Sequence, residues 1–412
     1  MNCPVTINNS LFSLLAPRVA VIGDSGTGKS TFVKFLVNYL ISKNSQNSEN
    51  SKPSKRNGIC LLDVDPGQPE KSLPGVLTVG SVSKPMLGSA YTYSLAVALN
   101  ANKEVSGSHE DLSDYVSTTG QHFFGSVSPD ARKSHYVSAV SNLMDTVKLK
   151  HSDQPLIINT MGYISGQGLH FIIDLFKITK PTHVINLRRN TDDQFSRINL
   201  IMAKNKNEHH GTFYAHNFLG DDIKPYKYLP IEPRSSLKRT KKAAFLRELI
   251  FLSYVSALCP LDCDVRVPSC KAVVQLSTRK IRFYDFKRGS WNNSPILQAG
   301  DEIVLASNFK SDDFVALSTE DVAKWTGNDP VKRKEWLEIQ RRQLNRKLRV
   351  ANFIGIGIVF DQDPDLSIIR VLIPRACLAE RVVGTVMFNT TCLGEESKFI
   401  ISKLFNDVDD YF

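Results

Sequence analysis

Residues 18–31 read RVAVIGDSGTGKST. Arg18 to Ile22 is a short apolar run that suits a buried strand. Gly23-Asp24-Ser25-Gly26-Thr27-Gly28-Lys29-Ser30 fits G-x-x-x-x-G-K-[ST] at every fixed position. Thr31 to Ser42 then carries Phe32, Phe35, Leu36, Tyr39 and Leu40 at helical spacing. Strand, glycine turn and helix in that order are the context a triphosphate cradle needs. The glycines let the backbone curl so that successive amides point inward at phosphate oxygens. The following helix adds its partly positive N-terminus. Lys29 is placed to reach the β and γ phosphates, and Ser30 offers a hydroxyl to Mg²⁺, which prefers hard oxygen ligands. Gly23 to Thr31 is therefore the candidate nucleoside triphosphate site.

Two further segments follow apolar strands. Gly58 to Val64 reads as a second strand and runs into Leu61-Leu62-Asp63-Val64-Asp65-Pro66-Gly67-Gln68. Carboxylates at a strand's C-terminal end point into a nucleotide crevice. One can hold the metal through water, the other can accept a proton from an attacking hydroxyl, and the amide can orient a group. Pro155 to Asn159 is a third strand, followed by Thr160-Met161-Gly162-Tyr163. Thr160 and Gly162 could bring backbone close to phosphate or substrate and Tyr163 could stack on a base, or the segment is an ordinary strand-ending turn.

Helical spacing recurs at Lys133–Leu149 and Leu169–Ile178, and Thr182–Leu187 is again strand-like. Strands alternating with helices over 18–187 imply an α/β fold: a P-loop parallel sheet flanked by helices. Asn44 to Asn57 reads as a flexible polar insertion, 100–125 as irregular, and 188–233 as a long connection. Ala243–Leu258 reads as a helix ended by Pro260. Beyond it, Val265–Phe286, Asp301–Ala316 and Phe353–Pro374 read as short strands. The expected organisation is a short segment 1–17, a P-loop domain with a lid over 18–259, and a smaller β-rich domain over 260–412.

The whole chain has 412 residues, 51 basic and 41 acidic side chains and a net charge of +10, which permits a polyanionic partner without demanding one. Apolar residues at 42% exclude a wholly disordered chain. No apolar run is long enough to suggest a membrane span. Seven scattered cysteines suggest a reducing compartment rather than a disulfide framework.

The three motifs, in this order, resemble the polynucleotide 5′-hydroxyl-kinase family of P-loop proteins, which carries a Walker A loop, D-x-D-x-G-Q, T-x-G-W and an arginine-bearing lid. Pro155 to Val184 and the segments Ile354–Val359 and Ile368–Pro374 resemble its nucleolar branch, whose members assist removal of the internal spacer during large-subunit rRNA maturation. The resemblance implies ATP and Mg²⁺ as cofactors, an RNA 5′-hydroxyl end as acceptor, an internal-spacer endonuclease as partner, and a nuclear, nucleolar setting. It implies that Lys29 stabilises the transferring phosphoryl group, Ser30 and Asp63 hold Mg²⁺, and Asp65 is the base. Gln68 would orient the metal shell or substrate, and Thr160 and Gly162 would clasp the RNA end. Tyr163 stands where the family has tryptophan, which keeps a smaller stacking surface. For the lid, Arg234 and Arg239 precede the helix from Ala243, with Arg239 neutralising charge in the transition state; Arg197, with Arg188 and Arg189, is the rival set. Family members carry a substantial N-terminal domain, so the chain reads as a short form or a truncated one, and the insertion at 44–57 departs from the family.

Two other classes compete. A P-loop GTPase or assembly ATPase would hydrolyse rather than transfer; Asn205-Lys206-Asn207-Glu208 only superficially matches a guanine-reading N-K-x-D. A nucleotide-binding scaffold for a nuclease would need no chemistry, against which Lys29, Ser30, Asp63 and Asp65 stand intact. Lys332–Arg349 is strongly basic around Trp336 and suits RNA phosphates, a protein partner or a solvated helix face. Basic clusters at 238–242 and 331–334 match nuclear import signals. Cys259, Cys263 and Cys270 lack zinc-ribbon spacing, and His209-His210 reads as solvated.

Overall fold

In a computed structural model the described residues are 16–48, 58–90, 116–129, 133–164, 167–188, 213–214, 226–232, 243–256, 273–277, 282–285, 290–292, 302–307, 331, 352–363, 368–372 and 385–388. The chain divides into two compact units, Met1–Ser253 and Tyr254–Phe412.

The first unit is built on strands β1 (Arg18–Gly23), β2 (Ile59–Asp63), β3 (Val76–Val82), β4 (Val116–Phe123), β5 (Leu156–Asn159), β6 (His183–Leu187), β7 (Phe213–Tyr214) and β8 (Lys227–Ile231), with helices α1 (Lys29–Ser48), α2 (Lys133–Lys150) and α3 (Gln167–Thr179); α4 (Ala243–Ser256) begins in it, and its last residues, from Tyr254, belong to the second unit. The strand order is β4-β3-β2-β5-β1-β6-β8-β7. The run β2-β5-β1-β6-β8 is parallel. β3 and β4 add antiparallel strands on one side and β7 adds one on the other. The expected P-loop α/β fold is thus present, with a mixed rather than wholly parallel sheet.

The apolar runs at β2, β5 and β6 are buried along their whole length because both faces are covered. α1 covers one face, where Val33, Leu36 and Val37 pack with Val19, Val21, Leu61 and Ile157. α2 and α3 cover the other, where Leu143, Met144, Phe171 and Ile172 pack with Ala20, Ile22, Leu62 and Ile158. Each large apolar side chain so removed from water contributes about 1.5–3 kcal/mol. From β1 the chain crosses through α1 to β2 on one side, and from β5 through α3 to β6 on the other side of β1. Such a reversal opens a crevice at the carboxyl ends of the strands. The register Val21↔Asn159 and Asp63↔Asn159 brings the ends of β1, β5 and β2 to the same level there.

Three expectations are corrected. α1 continues to Ser48 and takes up the first residues of the polar insertion expected from Asn44. The stretch expected to be irregular at 100–125 contains β4, which Val76–Val82 pairs through its whole length; the polar, β-branched run VSTT gives no strong alternation by itself. The connection expected at 188–233 contains β8, whose Tyr228 is buried and which extends the parallel sheet beyond β6.

The second unit is β-rich, as expected: β9 (Val273–Ser277), β10 (Arg282–Asp285), β11 (Ser290–Asn292), β12 (Glu302–Ser307), β13 (Asn352–Asp363), β14 (Ile368–Leu372) and β15 (Thr385–Phe388). β13 pairs antiparallel with both β12 and β14. Tyr254 is buried against it; its hydroxyl donates to Ile356 O and accepts from Ile356 N, both at 3.0 Å. The basic segment 332–349, the cysteines at 259, 263 and 270, His209-His210 and Asn205–Glu208 lie outside the described residues.

Candidate active site

The glycine turn between β1 and α1 adopts the conformation its residues were read for. Gly23, Gly26 and Gly28 have φ of 146°, 76° and 90°, which side chains with a Cβ rarely adopt. A Cβ at Gly23 would also lie 2.3 Å from Leu187 O. Ser25, Gly26 and Gly28 are exposed along the rim of the loop. Thr27 is buried and its hydroxyl donates to Asp24 O at 2.9 Å. Lys29 is buried in the floor, its Nζ donating to Gly23 O at 2.8 Å and Asp24 O at 2.9 Å. Ser30 is half-buried and Thr31 exposed at the start of α1.

Across the crevice, the end of β2 holds the two carboxylates in different ways. Asp63 is 1% exposed. Its Oδ2 accepts the Glu70 N–H at 2.6 Å, and its Oδ1 accepts the Asn159 side-chain amide at 3.0 Å and the Asp65 N–H at 3.4 Å. Burial pushes the Asp63 carboxyl up to about 7, against the Glu70 N–H, with the Glu70 and Asp65 carboxylates raising it further. Asp65 closes a local turn: its Oδ1 accepts the N–H groups of Gly67 at 2.9 Å and Gln68 at 3.1 Å. Its Oδ2 takes no hydrogen bond among the described residues. Burial raises the Asp65 carboxyl too, and the Lys29 ammonium is the foremost influence holding it down. Lys29 and Asp65 therefore sense each other across the crevice. Tyr136, on α2, donates to Val64 O at 2.8 Å and pins the peptide between the two aspartates.

The third segment abuts the phosphate loop directly. A Cβ at Gly162 would lie 2.9 Å from Ser25 Cα and 3.1 Å from Lys29 Nζ, so only glycine fits there without displacing the loop. Tyr163 is 38% exposed beside it. Gly168, at the start of α3, lets the chain return: a Cβ there would meet Tyr163 O at 2.3 Å. Thr160 corrects an expectation. It is fully buried and its hydroxyl donates to Val21 O at 2.8 Å, so the side chain ties β5 to β1 instead of facing an RNA end.

Mg²⁺ calls for hard oxygen donors at this crevice. The Ser30 hydroxyl is such a donor and fits it, while the Asp65 carboxylate keeps Oδ2 clear of the turn's hydrogen bonds as a proton acceptor. Asp63, expected to hold the metal with Ser30, is 1% exposed and accepts N–H groups on both oxygens, through which it shapes the turn that carries Asp65. Gln68 lies in that turn, half-buried. The lid residues Arg234 and Arg239, and Arg189 and Arg197 of the rival set, lie outside the described residues; Arg188 sits at the end of β6 with Nη2 3.3 Å from Glu232 Oε1. Asn159 and Glu70 were missed as site residues. Asn159 had a signal, a polar side chain ending an apolar strand in register with Asp63, whereas Glu70 acts through its backbone N–H, which any residue possesses.

Residues 23–210 match the family model of the mRNA cleavage and polyadenylation factor CLP1 P-loop. Among curated relatives, the polynucleotide 5′-hydroxyl-kinase GRC3 of Gibberella zeae is 29% identical over 259 residues, covering 61% of this chain and 30% of that protein. The human polynucleotide 5′-hydroxyl-kinase NOL9 is 29% identical over 172 residues, covering 42% of this chain and 19% of that protein. The matched stretch thus spans less than a third of the length of either relative. A solved complex of wild-type Clp1p with a fragment of Pcf11p superposes with a TM-score of 0.57 at 14% identity, over 92% of this chain and 75% of that one, and shares the fold. The resemblance drawn from the three motifs is borne out over the phosphate-binding domain. Among the described residues no helix is long and apolar enough to cross a membrane.

Proposed function

We propose that this chain, whose residues 23–210 match the CLP1 P-loop family model, belongs to the polynucleotide 5′-hydroxyl-kinase family and is an ATP-dependent kinase of RNA 5′-hydroxyl ends. The observation that carries the reading is the convergence of Lys29, Asp65 and Gly162 on one crevice. The glycine loop and the N-terminus of α1 would receive the triphosphate, with Lys29 beside the β and γ phosphates. Ser30 would hold Mg²⁺, which when bound neutralises phosphate charge, and Asp65 keeps its Oδ2 for the proton. The acceptor hydroxyl oxygen attacks the γ phosphorus as the bond to the β-phosphate oxygen breaks and ADP leaves; the hydroxyl proton passes to Asp65 Oδ2. Asp63, Asn159 and Tyr136 keep that carboxylate aimed. Tyr163 stacks on the terminal base. Catalysis of this kind rests on positioning and electrostatics.

The motif resemblance to the nucleolar branch supports a role in removing the rRNA internal spacer, in the nucleolus, alongside an internal-spacer endonuclease. The test is incubation with ATP labelled in the γ position and a 5′-hydroxyl oligoribonucleotide, with and without that class of partner. Label on the RNA end supports the reading. Free phosphate without labelled RNA indicates an ATPase, strong preference for GTP indicates a GTPase, and binding of the nuclease without transfer indicates a scaffold.

A further inference from the structure

Lys34 lies on α1, one turn beyond the lysine of the phosphate loop, and its ammonium is 2.7 Å from Glu70 Oε2. Both side chains are largely withdrawn from water, at 19% and 6% exposure. Oε2 makes no directed hydrogen bond, so charge holds this contact. Lys34 Nζ also donates to Gly88 O at 3.2 Å. Glu70 in turn donates its own N–H to Asp63 Oδ2 at 2.6 Å. A continuous path therefore runs from the helix whose first turn shapes the phosphate loop, through Lys34 and Glu70, to the carboxylate that braces the acidic turn. A second attachment lies one turn further along α1, where the Asn38 side chain accepts from Met86 N at 2.7 Å and donates to Met86 O at 3.1 Å.

We propose that Lys34 and Glu70 form a positioning pair that sets the spacing between the triphosphate cradle and the acidic turn carrying Asp65. This rests on the kinase reading above. Neither residue touches phosphate or acceptor; the pair acts through Asp63 and through α1. A buried carboxylate beside two others would otherwise push the acidic turn away from itself, and the Lys34 charge offsets that repulsion. Transfer requires the reacting atoms in line within a fraction of an ångström, so a small drift of the turn costs turnover while leaving the cradle's own contacts with ATP in place.

The experiment uses the full chain and four variants: Lys34→Met, Glu70→Gln, the two combined, and Lys34→Arg. For each, kcat and KM for a 5′-hydroxyl oligoribonucleotide, direct ATP affinity and the melting temperature are measured. The expected result is a fall in kcat of roughly tenfold in each single variant with ATP affinity within about twofold of the parent. The combined variant should be no worse than either single one, because the second change removes an interaction already broken. Lys34→Arg, which keeps the charge, should recover most of the turnover. Single variants that turn over at the parental rate overturn the proposal, as do losses that multiply in the combined variant or a kcat that falls only in step with ATP affinity and melting temperature. A parent chain that transfers no phosphate removes the kinase reading itself, an outcome distinct from a competent parent with unaffected variants.

Discussion

The phosphate loop exposes Ser25, Gly26 and Gly28 on its rim, whereas the turn facing it buries Asp63, Glu70 and even the Lys71 side chain. Lys71 Nζ donates to Leu61 O at 3.2 Å, and burial lowers its pKa to about 8. The loop recognises with backbone amides, so its demands fall on conformation and are written as glycines at three positions of positive φ. The acidic turn works with side chains whose properties are set by what surrounds them. Two aspartates two residues apart end up with different tasks because one is enclosed by Glu70 and Asn159 while the other closes its turn through Oδ1 alone and feels the Lys29 charge.

Breaking the cradle should have the largest effect. Lys29→Ala removes the cation beside the transferring group and should lower transfer at least about a thousandfold; transfer close to the parental rate would detach the loop from the chemistry. On the other wall, Asp65→Asn keeps the turn's Oδ1 acceptor but no longer takes a proton, and should cost roughly a hundredfold or more in kcat with ATP affinity nearly unchanged. Gly162→Ala tests whether the walls touch. Its Cβ would lie 2.9 Å from Ser25 Cα and shift the backbone of the loop, so ATP affinity should weaken roughly tenfold, read by direct binding. Thr160→Val should act on stability instead: losing the bond to Val21 O costs about 1–2 kcal/mol and lowers the melting temperature by a few degrees, with kcat of the folded protein largely kept.

The smallest effect concerns pH and sharpens the contrast between the aspartates. The Asp63 carboxyl is raised from its ordinary 3.8 to about 7 in the folded chain. Between those values the folded state binds the proton that the unfolded state releases. This group's contribution is therefore fully present below about pH 4 and is lost as pH rises toward 7. Melting curves across that range should show a decline in the parent that Asp63→Asn lacks.

The sequence made the strand–loop–helix at 18–48 and the sites after β2 and β5 legible because each couples an apolar run to residues with a steric or chemical requirement. The division of labour within the acidic turn was not legible. It depends on Asn159 and Glu70 donating to Asp63 across the sheet and along the turn, contacts separated by 96 and 7 residues in sequence. The use of the Thr160 side chain was not legible either: the sequence does not say that β1 lies close enough to take its hydroxyl. β4 was missed because its strand character comes from pairing with β3, and β8 because its place beside β6 is decided by the buried Tyr228, whose hydroxyl accepts from Asn186.

The most direct test of the account is transfer of labelled γ-phosphate from ATP to a 5′-hydroxyl oligoribonucleotide by the parent chain, Lys29→Ala and Asp65→Asn side by side. Labelled RNA ends are expected from the parent, with labelling down at least about a thousandfold in Lys29→Ala and roughly a hundredfold or more in Asp65→Asn, although that variant still binds ATP. Equal labelling by all three would contradict it.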